Sequence, residues 1–205
     1  MSTSNDKIGY VHVRADSQEH RDGFVAVYKQ AFSGPPYNEV YADEQVERDI
    51  WLPHLQSGVI TLAVCAGEII GFGCGLPLEH APEDIRSYLV SAKDFGTSVP
   101  NISDTWYFSE LGVLDNHRCK GIGTQLVGQV LAGILLRGNY HYVMRTAAEG
   151  SNSRHIFESI GSDLIPGLQD VSKSNQVTVN QSQSTERIYL YGRCAHGLAK
   201  IFLRQ

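Results

Sequence analysis

The 205-residue chain has no stretch approaching the roughly 18 consecutive apolar residues of a membrane span, and Met1–Asp6 is polar, unlike a secretory leader. Cytoplasm is therefore the expected compartment, with no membrane partner. Four cysteines, Cys65, Cys74, Cys119 and Cys194, have no paired spacing, which implies neither a zinc site nor a disulfide framework. The eight histidines form no His-x-x-x-His or Cys/His cluster, so no metal is expected. Runs of lysine or arginine are missing, and the formal net charge is −5. Neutralising nucleic-acid phosphates needs a basic surface, so nucleic acid is not the expected partner. No internal repeat appears. The length suits a single domain over residues 1–205, long enough to bury a proper core.

Two well-formed patterns flank one short loop. Thr105 to Leu114 is rich in aromatic and β-branched residues, as a half-buried strand should be. Downstream, Ile122, Leu126, Val130 and Ile134 recur every four residues, with Val127, Leu131 and Leu135 beside them, which predicts a helix with one broad apolar face. Arg137 suits its negative pole, and Gly138 its termination. Between the two lies His117-Arg118-Cys119-Lys120-Gly121-Ile122-Gly123-Thr124. A strand entering a helix through a glycine loop aims free N–H groups and the positive end of the helix dipole at one point. That makes an anion site, most naturally for phosphate. Gly121 and Gly123 let a ligand approach the backbone, and Arg118 and Lys120 add positive charge at the rim. An ordinary strand-to-helix turn, with glycines for tight packing, has the same local pattern. Two common phosphate loops do not apply: Lys120 precedes the glycines, unlike a P-loop lysine, and Leu126 stands where a dinucleotide fingerprint needs its third glycine.

The run Arg118-Cys119-Lys120-Gly121-Ile122-Gly123 resembles the Arg/Gln-x-x-Gly-x-Gly/Ala signature of the GNAT superfamily of acyltransferases. Glu110-Leu111-Gly112-Val113 resembles the Glu/Asp-Leu-x-Val segment that ends the preceding strand in that family. The resemblance implies an α/β (α+β) fold, with a mixed, mostly antiparallel central sheet of about seven strands, helices on both faces and a splayed central pair. It implies acetyl-CoA (coenzyme A) as cofactor. Leu111, Gly112, Val113, Arg118, Cys119, Lys120, Gly121, Ile122, Gly123 and Thr124 would bind it, and Asn152 with Ser151 would hold the pantetheine arm.

Taken in order, Tyr10–Arg14 reads as a strand and Gln18–Phe32 as a helix that Gly34-Pro35-Pro36 breaks. A second helix is expected from Asp43, as its cap, to Leu55, with Pro53 marking its final turn or end. Val59–Cys65 and Ile69–Gly75 read as a hairpin, Glu83–Lys93 as a helix, and Phe95–Ser103 as loop. Tyr140–Thr146 is a strand, a helix capped by Ser151 or Asn152 reaches Ile160, and Leu164–Gln169 is a sixth strand. Ser172–Thr185 is polar and reads as a long loop. Glu186–Tyr191 alternates as the last strand, with Arg187, Tyr189 and Tyr191 on one face; His196–Leu203 has helical spacing.

Acetylating an amine requires a base, because an alkyl ammonium titrates near the lysine value of about 10. Glu110 is the only carboxylate in its strand, where partial burial raises its pKa. In the family the base occurs at positions that align with Tyr107, Ser109 and Glu110. Strict alternation sets Glu110 opposite Tyr107 and Ser109, unless a bulge near Gly112 re-aims the chain. A paired structural carboxylate is the alternative. The resemblance places an oxyanion donor at the backbone N–H of Leu111 or Val113. Many relatives carry a proton-donating tyrosine where this chain has Phe157; the leaving thiolate is then protonated by another group, with Tyr107, Tyr189 or Tyr191 as candidates, or by water, or leaves unprotonated, at modest cost for a thiol titrating near the cysteine value of about 8.5. Tyr37, Asn38, Glu39 and Tyr41, in a turn resembling that of bacterial small-molecule members, are acceptor-pocket candidates, or else form a rigid connector. The expected activity is N-acetyl transfer to a small-molecule amine. A protein N-terminus or lysine as acceptor, or an acyl-CoA-binding module without turnover, are the alternatives. A homodimer is compatible with the sequence.

Overall fold

The computed structural model describes residues 7–91, 103–171 and 186–203. Seven strands, β1 (Gly9–His12), β2 (Val59–Cys65), β3 (Glu68–Pro77), β4 (Thr105–Val113), β5 (His141–Ala147), β6 (Asp163–Val171) and β7 (Glu186–Arg193), form one sheet in the order β1-β2-β3-β4-β5-β7-β6. Among the described residues, only β4 and β5 pair in parallel; every other pairing is antiparallel. Among the described residues no helix is long and apolar enough to cross a membrane.

Helices cover both faces because strands and helices bury opposite halves of their patterns. Helix α1 (Gln18–Phe32), capped by the Ser17 hydroxyl, packs Phe24 and Tyr28 on Phe72 of β3. A second helical stretch follows as α2 (Asp43–Val46), a π-turn (Glu47–Trp51) and α3 (Leu52–Ser57), and buries Trp51 against Phe24. Helix α4 (Glu83–Ser91) lays Ile85 and Leu89 beside Tyr107, Val143 and Tyr189 on the same face. On the opposite face α5 (Ile122–Leu135), α6 (Asn152–Ser159) and α7 (Cys194–Phe202) bury Trp106, Phe108, Tyr142 and Leu190.

Two expectations change here, and two loops fall outside the described residues. Asp43 is not a cap: Ala42 holds that position without a side-chain bond, and Asp43 lies in the first turn, ion-paired with Lys29. The helix does not end at Pro53, because the preceding π-turn widens the ladder where proline has no N–H to contribute. The chain then stays helical to Ser57. The polar loop Ser172–Thr185, and all of Phe95–Ser103 but Ser103, lie outside the described residues.

Two irregularities in β4 position the site. Glu110 is paired with Cys74 but Phe108 with Gly75, so Ser109 is an extra residue, a bulge. It resets the alternation: Trp106 and Phe108 enter the α5-side core and Tyr107 the other, yet Glu110 emerges on the α1 side, where it meets Tyr28. The bulge is thus at Ser109 rather than near Gly112. Gly112 serves close packing instead, since a Cβ there would sit 2.4 Å from the Phe72 ring. The second irregularity is the gap. Strand β5 joins β4 only between Thr105↔His141 and Phe108↔Met144, after which β4 continues with β3 and β5 with β7.

Candidate active site

Strand residues send N–H and C=O to one side together, alternating along the chain. Leu114 donates to Ile70 O on β3 at 3.0 Å, so two and four peptides' worth of alternation earlier the amides of Gly112 and Glu110 also face β3. Leu111 and Val113 therefore turn theirs toward the gap. The Val113 carbonyl is met there by Arg118 Nε at 3.0 Å. Arg118 also reaches Asp115 at 2.9 Å, so its guanidinium ties the loop to the strand rather than standing free at the rim.

At the start of α5, Gly121 takes φ +78°, and a Cβ built on it would meet nothing within 4 Å. No side chain caps this terminus, which leaves the first-turn amides available to an anion. A cavity of about 330 Å³ opens from Arg118, Cys119 and Gly121–Thr124 along Leu111–Val113 to Ser151–Ser153 at the start of α6. The uncapped amides and the open space beside Gly121 fit a diphosphate, and the trough beyond them fits an extended arm. Lys120 lines neither this cavity nor the next: its ammonium is held by the Asn116 carbonyl at 2.9 Å. Asn152 and Ser151 do line the first cavity, and Ser151 is the α6 cap.

A second cavity, of about 410 Å³, lies on the α1 side, walled by α1, the 37–41 segment, α3 and α4. Phe32, Tyr37, Leu111 and Ser153 belong to both cavities, which therefore meet at the gap. Tyr37, Glu39, Tyr41, Tyr107 and Glu110 line the second one. Asn38 lines neither, because it takes φ +50° in a turn and donates its N–H to Gly34 O at 2.9 Å.

Glu110 lines the second cavity next in sequence to Leu111, which belongs to both, and one of its oxygens accepts from the Tyr28 hydroxyl at 3.2 Å. Burial raises its pKa to about 8, Glu39 adding to the rise while the Tyr28 bond, Arg187 and Arg145 oppose it. Tyr28 and Tyr107 are pushed well above the ordinary phenol range, chiefly by burial, and stay protonated. Glu39 accepts from Tyr41 at 2.5 Å and faces Arg187 at 3.5 Å, while Arg187 lies over the Tyr37 ring.

Sequence reasoning passed over His54, which the π-turn carries inward. Its Nδ1 lies 2.6 Å from Ile50 O and so carries the proton, leaving Nε2 to accept from the Ser109 hydroxyl at 2.5 Å. Burial lowers its pKa to about 4, keeping it neutral. Ser109 is thereby turned to α3. Phe157 is entirely buried, edge-on to Phe108, and Tyr189 and Tyr191 line neither cavity. Arg145 and Arg187 were also missed, although the alternation of the last strand puts Arg187 on the cavity face.

Two cavities that meet at a splayed strand pair, one of them beginning at a helix start that fits an anion, are an arrangement suited to bringing two substrates together. The family model described as Acetyltransferase (GNAT) family matches residues 23–161, and the chain belongs to that family. It is an acyltransferase that uses acetyl-CoA. Similar folds include the N-acetyltransferase from Staphylococcus aureus Mu50 (13% identity, TM-score 0.63, covering 91% of this chain and 99% of that one). The ribosomal-protein-alanine N-acetyltransferase from Brucella melitensis is 12% identical at a TM-score of 0.63, covering 89% and 99%. The Bacillus subtilis acetyltransferase in complex with CoA is 15% identical at 0.55, covering 91% and 99%. At these identities the likeness is one of fold. No curated protein matches the sequence significantly.

Proposed function

We propose that this chain transfers an acetyl group to the primary amine of a small molecule held in the second cavity, with Glu110 as general base. The observation that supports this reading is the placement of Glu110 in the wall of the second cavity, next in sequence to Leu111, which lines both cavities, with a pKa raised to about 8. A carboxyl near neutrality takes an ammonium proton far more readily than an ordinary one, and hands it on to solvent. Acetyl-CoA, when bound, would supply the activated thioester, whose C–S bond would break as the amine's N–C bond forms, the coenzyme leaving as a thiolate that solvent protonates. The amides at Ile122–Thr124, with Gly121 leaving room, hold its diphosphate, and Ser151 and Asn152 flank the arm. The gap-facing N–H of Leu111 or Val113 stabilises the negative charge that develops on the acyl oxygen. Tyr28 holds the Glu110 carboxyl in place, and Tyr107 lines the cavity beside it.

The cavity's size supports a small acceptor, since about 410 Å³ lies within the usual 300–1,000 Å³ for small-molecule sites. Its walls come from several elements, and α4 adds Asp84 and Ile85, with Pro82 just before it. The test is thiol release from acetyl-CoA with three panels: small primary amines, peptides with free N-termini, and N-blocked lysine peptides. Turnover with the first panel at least about tenfold above the others in kcat/KM is expected. Preference for either peptide panel would overturn the small-molecule reading.

A further inference from the structure

The bulge that aims Glu110 is held by little of the sheet. In the register of the described residues its extra residue, Ser109, has no partner on β3, where Phe108 pairs with Gly75 and Glu110 with Cys74. It also lies one position past Phe108↔Met144, the last pairing with β5. A slip of one residue carries side chains to the opposite face of a strand. Moving the bulge beyond Glu110 would therefore restore the alternation of Trp106 and Phe108, and turn the carboxyl from Tyr28 toward the α5-side core. Ser109 is instead tied down by its side chain, whose hydroxyl donates to His54 Nε2 at 2.5 Å.

The acceptor of that bond is itself fixed. The π-turn Glu47–Trp51 leads into α3 so that His54 points inward, only 2% exposed. Its Nδ1–H is given to Ile50 O at 2.6 Å, which sets the tautomer, and burial keeps the ring neutral, so Nε2 is always an acceptor at working pH. Both His54 and Ser109 line the acceptor cavity, and neither lines the donor cavity. The bond thus ties α3 to β4 where the ladders on either side of the strand are interrupted.

Resting on Glu110 as the base, we infer that His54 and Ser109 are positioning residues of the transfer: their hydrogen bond locks the bulge in register and so keeps the Glu110 carboxyl facing the acceptor amine. Neither takes a proton in the reaction. A reacting group displaced by about 1 Å loses on the order of 100-fold in rate, so one bond at the bulge is felt in kcat.

The test uses the best acceptor of the three panels, with rates read on each variant's plateau above the Glu110 pKa, so that a displaced titration of that carboxyl does not enter. Ser109→Ala removes the bond, and His54→Asn, whose amide is too short to reach Ser109, breaks it from the other side. Each should lower kcat about tenfold or more, with KM for the acceptor and CoA affinity within about twofold, and the double variant should be no slower than the slower single one. Ser109→Thr and His54→Gln, which keep a hydroxyl and an acceptor, should recover part of the rate. In a Glu110→Gln background Ser109→Ala should change the residual rate by less than about twofold, because the hydroxyl acts through the carboxyl. An equal loss in that background, a loss confined to KM, or single variants within about twofold of the wild type would overturn the positioning role and leave Glu110 as the base. Near-wild-type turnover by Glu110→Gln alone would end both.

Discussion

On the proposed reading, Glu110 serves as the base because its charge conflicts with its surroundings. Its pKa rises from 4.5 to about 8, so between those values the folded protein keeps a proton that the unfolded chain has released. Stability therefore falls as pH rises through this window, and the loss is complete above it. Glu110→Gln removes the titration, so its melting temperature should exceed that of the wild type at pH 9 and differ little at pH 4, as scanning calorimetry can check. An unchanged difference across that range would contradict the buried-carboxyl assignment. The identity of this residue was legible, as the one carboxylate in its strand. Its orientation was not, because the bulge at Ser109 is fixed by pairing with β3, and no local pattern in TWYFSELGV announces it. Arg187 shows the converse: alternation gives its face, but its partners Glu39 and Tyr37 are distant in sequence and only the fold brings them together.

Elements act by presenting backbone. The start of α5 was readable because glycine spacing and a helical period coincide there, and the structure puts Gly121 in the left-handed region with open space beside it. Gly121→Val should weaken CoA binding by about tenfold or more, since an L-residue pays roughly 1–2 kcal/mol for that backbone and its side chain would enter the donor cavity. Calorimetric titration that finds the affinity unaltered would remove the diphosphate from this place. The helix after Asp43 was less legible. A π-turn ahead of Pro53 has no composition signal, yet it delivers His54 to Ser109. Because burial lowers His54 from 6.5 to about 4, the unfolded chain gains a proton there before the folded one, and stability declines as pH falls through this range. His54→Asn should flatten that acid limb of the denaturation profile; a limb of unaltered slope would show that another group causes it.

At the scale of the molecule, the order of strands and helices was largely legible because each segment has a clean period of two or of four. The sheet order, with β7 inserted between β5 and β6, rests on long-range pairing that periodicity does not encode. Pairing of β4 with β5 stops after Phe108↔Met144, and the two cavities share residues at the gap beyond, so on the proposed reading donor and acceptor are held at once. Initial velocities should then intersect when both substrates are varied, without a trapped acetyl-enzyme. Cys119→Ser, at the exposed cysteine of the donor cavity, should keep kcat within about threefold. Parallel lines, or an acetylated Cys119, would mean a covalent route instead.

The most direct measurement of the whole account is kcat against pH for the wild type and Glu110→Gln at saturating substrates. The wild type should rise through a limb near pH 8. Glu110→Gln should lose the limb and about 100-fold or more of the rate at its plateau, with CoA affinity retained. A variant within about threefold of the wild type, with the same limb, would show that another group takes the proton.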